Sequence, residues 1–229
     1  MKKTLLLIIL FSTIVLSSYA QDAAPKPVHR HTYLKINPTT LINELDISLE
    51  QVITDKISIE IGVSGIYTDY PDYVLAKKID IGQKKPDLST SQFVDGRGLG
   101  FRAGLRYYLI TREIGPSSAA GTYFEPIVFY KKVFYPNEDV FLNGNNYSNS
   151  GYKDVFGLQL LVGRQYRRDK VVLDPYFGIG IRSKIYHSDS YKDGGDNTIQ
   201  RNQSKLVSVL PSIHLGIKLG LSLHHKYRN

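Results

Sequence analysis

The stretch from Leu206 to Leu223 alternates between apolar and polar or small residues, and this pattern constrains the fold more than any other. Its apolar positions are Val207, Val209, Pro211, Ile213, Leu215, Ile217, Leu219, Leu221 and Leu223. A period of two is typical of a β-strand, because successive side chains leave a strand on opposite faces. Soluble strands usually have about 5 or 6 residues, whereas a tilted strand that crosses a bilayer needs roughly 9 to 11. The stretch therefore predicts a strand with lipid on one face and a polar lumen on the other.

The first twenty residues have the features of a cleaved secretory signal peptide. Lys2 and Lys3 provide a positive start, an apolar run follows from Leu5 to Leu16, and Ser18-Tyr19-Ala20 has the small-x-small pattern of a cleavage site. The run is shorter than the roughly 20 apolar residues of a membrane-spanning helix. We therefore expect residues 1–20 to be removed after export, so that the mature chain reaches the bacterial cell envelope.

Composition and charge exclude several classes of function. The chain has no cysteine, which excludes disulfides, thiolate metal sites and lipidation on a cysteine. Its formal net charge of +8 includes Lys2 and Lys3 of the leader, and the other basic residues are spread along the chain. Since an exported chain seldom meets nucleic acid, we expect no nucleic-acid partner. Residues 21–30, with Pro25 and Pro27, predict a flexible lead before a barrel domain at 31–225.

Seven segments of the mature chain have strand-like alternation, and a weaker one precedes them. The seven segments are 41–53, 56–67, 98–109, 122–135, 155–166, 171–184 and 205–223, and the weaker one is 31–37. The connections alternate between long ones, at 71–97, 136–151 and 187–204, and shorter ones, at 54–55, 110–121 and 168–170. Because outer-membrane barrels have an even number of strands with short periplasmic turns and long outer loops, we predict an all-β fold. It is a transmembrane antiparallel β-barrel of about eight strands with up-and-down topology.

Aromatic residues near the predicted strand ends are consistent with a membrane interface, where amphipathic rings are favoured. They are Tyr67, Tyr70, Tyr107, Tyr108, Phe134, Tyr135, Tyr152, Tyr166 and Tyr186. A soluble eight-stranded barrel with an apolar interior is the alternative, since it would have the same alternation with the two faces exchanged. The strand lengths and the signal peptide favour the membrane barrel.

Three segments resemble a known group of proteins. The end of the signal peptide (Ser18-Tyr19-Ala20-Gln21), the KINP stretch at 35–38 and LDISLEQ at 45–51 are similar to small outer-membrane β-barrel proteins of the Bacteroidota, including families without assigned function. The resemblance covers essentially the whole mature chain and implies an eight-stranded barrel in the outer membrane. It implies no activity. One departure is the end of the chain, Lys226-Tyr227-Arg228-Asn229, where many such barrels end on an aromatic residue that the assembly machinery recognises.

If the apolar face meets lipid, many charged side chains point into the lumen. This predicted charge network comprises Glu44, Asp46, Glu50, Glu60, Arg102, Arg106, Glu125, Asp174, Arg182, His214 and Lys218, with Gln159 and Lys184 on the same face. Closure of the barrel brings the first strands beside the last, so Lys218 and His214 are expected near Glu44, Asp46 or Glu50. An unpaired buried charge costs several kcal/mol, which favours a structural network of ion pairs. The alternative is a narrow ion path lined by the same residues.

Catalytic and metal sites have weak support in the sequence. The compact group His187-Ser188-Asp189-Ser190 cannot form a triad on a strand, because adjacent side chains point to opposite faces. His29, His31, His224 and His225 flank the barrel, and imidazoles bind Zn, Cu or Ni, but incidental histidines in polar tails are the simpler interpretation. We therefore expect no enzyme activity, no catalytic residues, no metal site and no cofactor.

The favoured function is that of a monomeric outer-membrane barrel with a largely filled lumen, which acts as a structural or surface-loop interaction protein. Loops on a rigid barrel are natural recognition sites, and Lys77, Lys78, Lys84 and Lys85 in loop 71–97 predict contact with outer-membrane lipid and lipopolysaccharide. The barrel-assembly machinery is the expected partner during insertion. A narrow pore for ions or small solutes is the alternative, and a lipid-modifying enzyme is a weaker one.

Overall fold

The fold is a single antiparallel sheet that closes on itself. The computed structural model describes residues 31–54, 56–79, 81–111, 121–168, 170–194 and 198–223; the predicted signal peptide at 1–20, the predicted lead at 21–30, His29, His224, His225 and the chain end lie outside them. The eight strands are β1 (Thr32–Ile36), β2 (Glu44–Val52), β3 (Ile57–Ile66), β4 (Arg97–Thr111), β5 (Gly121–Leu142), β6 (Asn145–Arg168), β7 (Val171–Asp193) and β8 (Ile199–Ser222).

Each strand pairs with its neighbours along the chain, and the first pairs with the last. In β1, Leu34 lies opposite Leu49 of β2 on one side and opposite Leu221 of β8 on the other. The weakly patterned segment at 31–37 is therefore confirmed as the strand that completes the ring. The prediction of eight antiparallel strands in an all-β barrel is also confirmed.

The wall of the barrel is much taller on one side than on the other. The strands β1, β2 and β3 have 5, 9 and 10 residues, whereas β5 to β8 have 22 to 24. The predicted loops at 136–151 and 187–204 were wrong, because both segments are mostly paired strand. Alternation fades there since both faces are polar, while the backbone hydrogen bonds between strands continue.

A tight turn at Asn143 and Gly144 joins β5 to β6. Both residues have positive φ, 48° at Asn143 and 81° at Gly144, as two-residue hairpin turns that match the twist of the strands require. Asparagine and glycine adopt this conformation most readily. The turn explains why the strands continue to their tips instead of ending in an open loop.

The two faces of the sheet have opposite character. Along β8 the outward Ile213 and Leu215 are 74% and 79% exposed, whereas the inward Ser212 and Lys218 are buried. The same alternation occurs on β2 and β3. Apolar side chains therefore cover the outside of the barrel, and most of the buried charged and polar side chains lie in its interior, as the sequence predicts.

The aromatic residues divide between the two faces. Among those predicted to lie at a membrane interface, five are exposed on the outside of the barrel: Tyr67, Tyr70, Tyr107, Phe134 and Tyr166. The assignment is wrong for the other three that lie on inward positions, Tyr108, Tyr135 and Tyr186, which are 1–5% exposed inside the barrel. Their hydroxyl groups bond to buried carboxylates, so their place at a strand end reflects interior packing.

Residues 67–96, which we call the lid, connect β3 to β4 at the tall end of the barrel. The lid contains α1 (Tyr70–Tyr73), a π-helix (Val74–Ile79) and α2 (Thr90–Val94), in place of the plain loop predicted at 71–97. Ser89 and Gln92 form a capping box that starts α2, and Phe93 packs against Tyr135 inside the barrel. A short 3-10 helix (Pro38–Thr40) lies between β1 and β2. No helix in the described ranges is both long and apolar enough to span a membrane.

Candidate functional site

A layer of buried ion pairs fills the middle of the barrel. We call it the central network; its members are Lys35, Asp46, Glu50, Glu60, Arg102, Arg106, Glu125, Asp174 and Lys218. Arg106 is fully buried, and its guanidinium donates to Glu60 and Glu125 at 2.8 and 2.9 Å. Because the interior of an eight-stranded barrel is just wide enough for side chains to fill, the network occupies the cross-section at this level.

Two lysines complete the central network from the first and last strands. Lys35 Nζ lies 2.5 Å from Glu50 and 2.8 Å from Asp174. Lys218 Nζ lies 2.5 Å from Glu60 and 4.0 Å from Glu125. Among the described residues Lys218 therefore forms its ion pairs with Glu60 and Glu125 instead of Glu44, Asp46 or Glu50, because alternation fixes the face of a strand residue but not how far its flexible stem reaches.

A second cluster of buried charges holds the lid against the tall strands. We call it the lid cluster: Asp69, Asp72, Gln83, Tyr135, Lys153, Lys184 and Tyr186. Lys153 Nζ bonds to Asp69 Oδ1 at 2.7 Å and to Asp72 Oδ2 at 2.9 Å, and Lys184 also pairs with Asp72. Two lid carboxylates are thus anchored to β6 and β7 by amines that point into the barrel.

The two lid carboxylates differ in acidity. Burial alone would raise the pKa of Asp72, but the ammonium groups of Lys153 and Lys184 outweigh it and hold the pKa well below the ordinary value for aspartate. Burial raises the pKa of Asp69 above that value, although Lys153 opposes the shift. Of the two lid carboxylates, Asp72 is therefore the one that stays ionised to lower pH.

Between the central network and the lid lies a cavity of about 280 Å³, which we call the chamber. Asp46, Arg102 and Tyr176 border it on the side of the central network, and Asp72 and Leu75 border it on the side of the lid. Its walls combine polar groups with apolar ones, among which are Ile127, Phe129, Val133, Val155 and Leu161. The barrel interior is thus filled at two levels and open between them.

Three basic side chains of the strands border the chamber, and each has a different set of contacts. Lys131 Nζ bonds to Glu44 at 2.6 Å, so this lysine has an acidic partner at the chamber wall. Arg182 has no ion pair among the described residues, and its buried Nε has no hydrogen-bond partner there. The ring of His214 lies beside Phe129, with 6.5 Å between the ring centroids. Glu44, Arg182 and His214 therefore belong to the chamber and not to the central network.

On the outside, an apolar groove runs along the rim beside the lid. Ile42, Tyr70, Val74 and Val94 line it, and Pro71 and Leu75 border both the groove and the chamber. The lid segment around Pro71 and Leu75 is therefore the wall between the chamber and the exterior.

The lid lysines that the sequence singles out are exposed. Lys77, Lys78, Lys84 and Lys85 all lie on the outer surface of the lid, where Lys77 also donates to the Pro86 carbonyl at 3.4 Å. Together they place four positive charges at the tall end of the barrel, away from the central network.

The compact His-Ser-Asp group singled out in the sequence lies on β7. His187, Ser188 and Asp189 follow one another on β7, so Ser188 points away from the other two. Tyr152 stacks on His187, and Arg201 pairs with Asp189. Within the described ranges, His, Cys, Asp and Glu side chains form no group of three suited to a metal ion.

Sequence reasoning missed several members of both clusters. Lys35 shares a face with Tyr33, opposite Leu34 and Ile36, so the alternation in β1 was available as a signal. Asp69 and Asp72 lie in the lid, where no strand period indicates which side chains turn inward. Lys131 and Lys153 lie where apolar and polar residues mix on both faces, which obscures the pattern.

Comparison of the chain with protein-family models, with curated proteins and with solved structures finds no match.

Proposed function

We propose that the chain is an up-and-down β-barrel of the bacterial outer membrane with a closed lumen, which anchors a rigid recognition surface at the cell exterior. The observation that carries this proposal is the inverted distribution of side chains, with an apolar outside and a charged inside. A soluble barrel of this size buries apolar side chains in its interior, whereas lipid requires them on the outside. The soluble alternative has no such support.

The closed lumen rests on the central network. Arg106, Lys35 and Lys218 are all 0% exposed, and each bonds to acidic side chains of other strands. Water and ions need a continuous polar path, and here the polar groups are bonded to one another across the cross-section. This packing favours a scaffold over a narrow pore, which remains the alternative function for the same barrel.

The recognition surface consists of the lid and the tall hairpins. Both lie at the end opposite the short turns, and in outer-membrane barrels the long connections face outward while the short turns face the periplasm. Lys77, Lys78, Lys84 and Lys85 then meet the phosphate groups of lipopolysaccharide, to which ammonium groups are attracted electrostatically. In this account the protein acts as a monomer and the lid contacts anionic lipid or saccharide.

Binding of a soluble anionic saccharide tests the surface directly. We would titrate nanodisc-held mature chain with the phosphorylated core oligosaccharide of lipopolysaccharide. The double variant Lys77→Gln/Lys78→Gln should bind the oligosaccharide more weakly and with a smaller dependence on salt. The double variant Lys84→Gln/Lys85→Gln should show the same change. A double change of Lys56 and Lys170, exposed at the opposite end, is the matched control. Equal weakening by the control pair, or no binding by the unchanged protein, would contradict the proposal.

A further inference from the structure

The chamber contains one positive charge that its own acidic residues do not neutralise. Four carboxylates border it, and each has another basic partner: Glu44 pairs with Lys131, Asp46 with Arg102, Asp69 with Lys153, and Asp72 with Lys153 and Lys184. Arg182 borders the same cavity without an ion pair in the described part of the chain. Its Nε is buried and has no hydrogen-bond acceptor there.

An unpaired charge inside a barrel is costly. Removing a charge from water costs several kcal/mol unless a counter-charge or hydrogen bonds compensate. Arg182 is partly exposed as a residue and only its Nε is fully buried, whereas the buried cations elsewhere in this interior each have an acidic partner in the described ranges, including Lys35, Arg106, Lys153 and Lys218. Arg182 is therefore the residue at which a negatively charged ligand would supply the missing counter-charge.

The apolar wall of the chamber indicates what else the occupant carries. Ile127, Phe129, Val133, Val155 and Leu161 line the space together with Leu75 of the lid. A bare inorganic anion would leave these side chains facing water in a cavity of about 280 Å³. Small-molecule sites typically combine such apolar walls with a few polar groups that fix orientation.

We propose that the chamber binds a small organic carboxylate, whose carboxylate accepts hydrogen bonds from the Arg182 guanidinium and whose apolar body packs against Phe129 and its apolar neighbours. A guanidinium donates to a carboxylate through two parallel N–H groups, which makes this pair strong and directional. His214, beside Phe129, adds a further polar contact at the same wall. The site is independent of the surface function of the lid lysines, which lie outside the chamber.

Hexanoate is a suitable probe because it combines one carboxylate with a short apolar chain. Isothermal titration of the full mature chain in zwitterionic nanodiscs, with empty nanodiscs as the blank, should show saturable binding of one hexanoate per protein. Hexanamide has nearly the same shape without the charge and should bind at least tenfold more weakly. Inorganic phosphate should not displace hexanoate.

Variants of Arg182 assign the binding to this residue. Arg182→Gln should weaken hexanoate binding at least tenfold, which corresponds to about 1.4 kcal/mol, and Arg182→Lys should retain part of the affinity. Because Arg182 has no ion pair in the described structure, its replacement breaks none, and the variants should keep the heat-modifiable mobility of a folded barrel. Arg201→Gln, on the same hairpin but exposed, should bind as the unchanged protein does.

Four results would overturn the proposal. They are the absence of saturable hexanoate binding to the unchanged protein, equal binding by Arg182→Gln, equal binding of hexanamide, and displacement of hexanoate by phosphate at comparable concentration. The last would identify a general anion site in which the apolar wall has no role.

Discussion

The Nη1 atom of Arg106 on β4 lies 2.9 Å from Oδ2 of Asp174 on β7, and two strands separate these residues along the wall. The ion pair therefore crosses the barrel interior instead of joining neighbouring strands. Arg106 also reaches Glu50, Glu60 and Glu125, so one side chain connects four carboxylates on four strands. This arrangement ties four strands of the closed sheet together across its interior, and it is the basis of the closed lumen that we propose.

Removing Arg106 should strongly destabilise the barrel. Arg106→Met keeps most of the volume but leaves several buried carboxylates without their counter-charge, and breaking a buried ion pair on one side costs about 3 to 5 kcal/mol. The free energy of unfolding can be measured with guanidinium chloride in lipid vesicles by far-ultraviolet circular dichroism. Arg201→Met, which breaks an exposed pair with Asp189, should leave it nearly unchanged. Similar effects for both variants would refute the structural role of the network.

Removing Lys153 should release the lid while the barrel stays folded. Lys153→Met takes the shared ammonium group from Asp69 and Asp72, which favours local opening of the lid. Trypsin cleavage after the exposed Lys77 and Lys78, followed by mass spectrometry, should then become about tenfold faster or more.

The matched control for this experiment is Lys192→Met. Lys192 also pairs with a lid carboxylate, that of Asp87, at 2.5 Å, but both side chains are about half exposed. Exposed ion pairs contribute little, so lid cleavage should hardly change. Unchanged cleavage in Lys153→Met would show that the lid cluster does not hold the lid.

The pKa values of the two lid aspartates should differ from the ordinary value of 3.8 in opposite directions, with that of Asp69 raised and that of Asp72 lowered. Asp72 has a folded pKa below its unfolded one, so its contribution to stability is present above the unfolded pKa and is lost as the pH falls through the folded pKa. Asp69 has a raised folded pKa, so its contribution is present below the unfolded pKa and is lost as the pH rises through the folded value. Carboxyl carbon chemical shifts, assigned with Asp72→Asn, should show Asp69 protonating first on acidification. The reverse order would contradict the geometry of the lid cluster.

Where the alternation is clear, the face of a strand residue followed from the sequence, but its partners did not. Alternation in β8 placed Lys218 inside, because a strand exposes successive side chains on opposite faces. It could not show that Lys218 reaches Glu60, or that Arg106 crosses to β7, since these contacts depend on strand tilt and on flexible stems. The sequence therefore predicted many of the inward charged residues, but not which of them pair with one another.

The tall hairpins and the lid were the parts that the sequence obscured. Above the apolar belt, β5 to β8 have polar residues on both faces, so the period of two that identifies a half-buried strand disappears. Asn143-Gly144 was the local signal for a tight hairpin there. In the lid, Asp69 and Asp72 are buried by tertiary contacts with Lys153 and Lys184, which no local pattern reveals.

Single-channel conductance of the refolded mature chain in a planar bilayer tests the closed-lumen membrane barrel most directly. Insertion would be confirmed independently by protease protection of the strands. A closed lumen should give a silent bilayer, because the central network bonds Arg106, Lys35 and Lys218 to acids across the interior. Reproducible conductance steps from the unchanged protein would contradict it and identify the lumen as a conducting path.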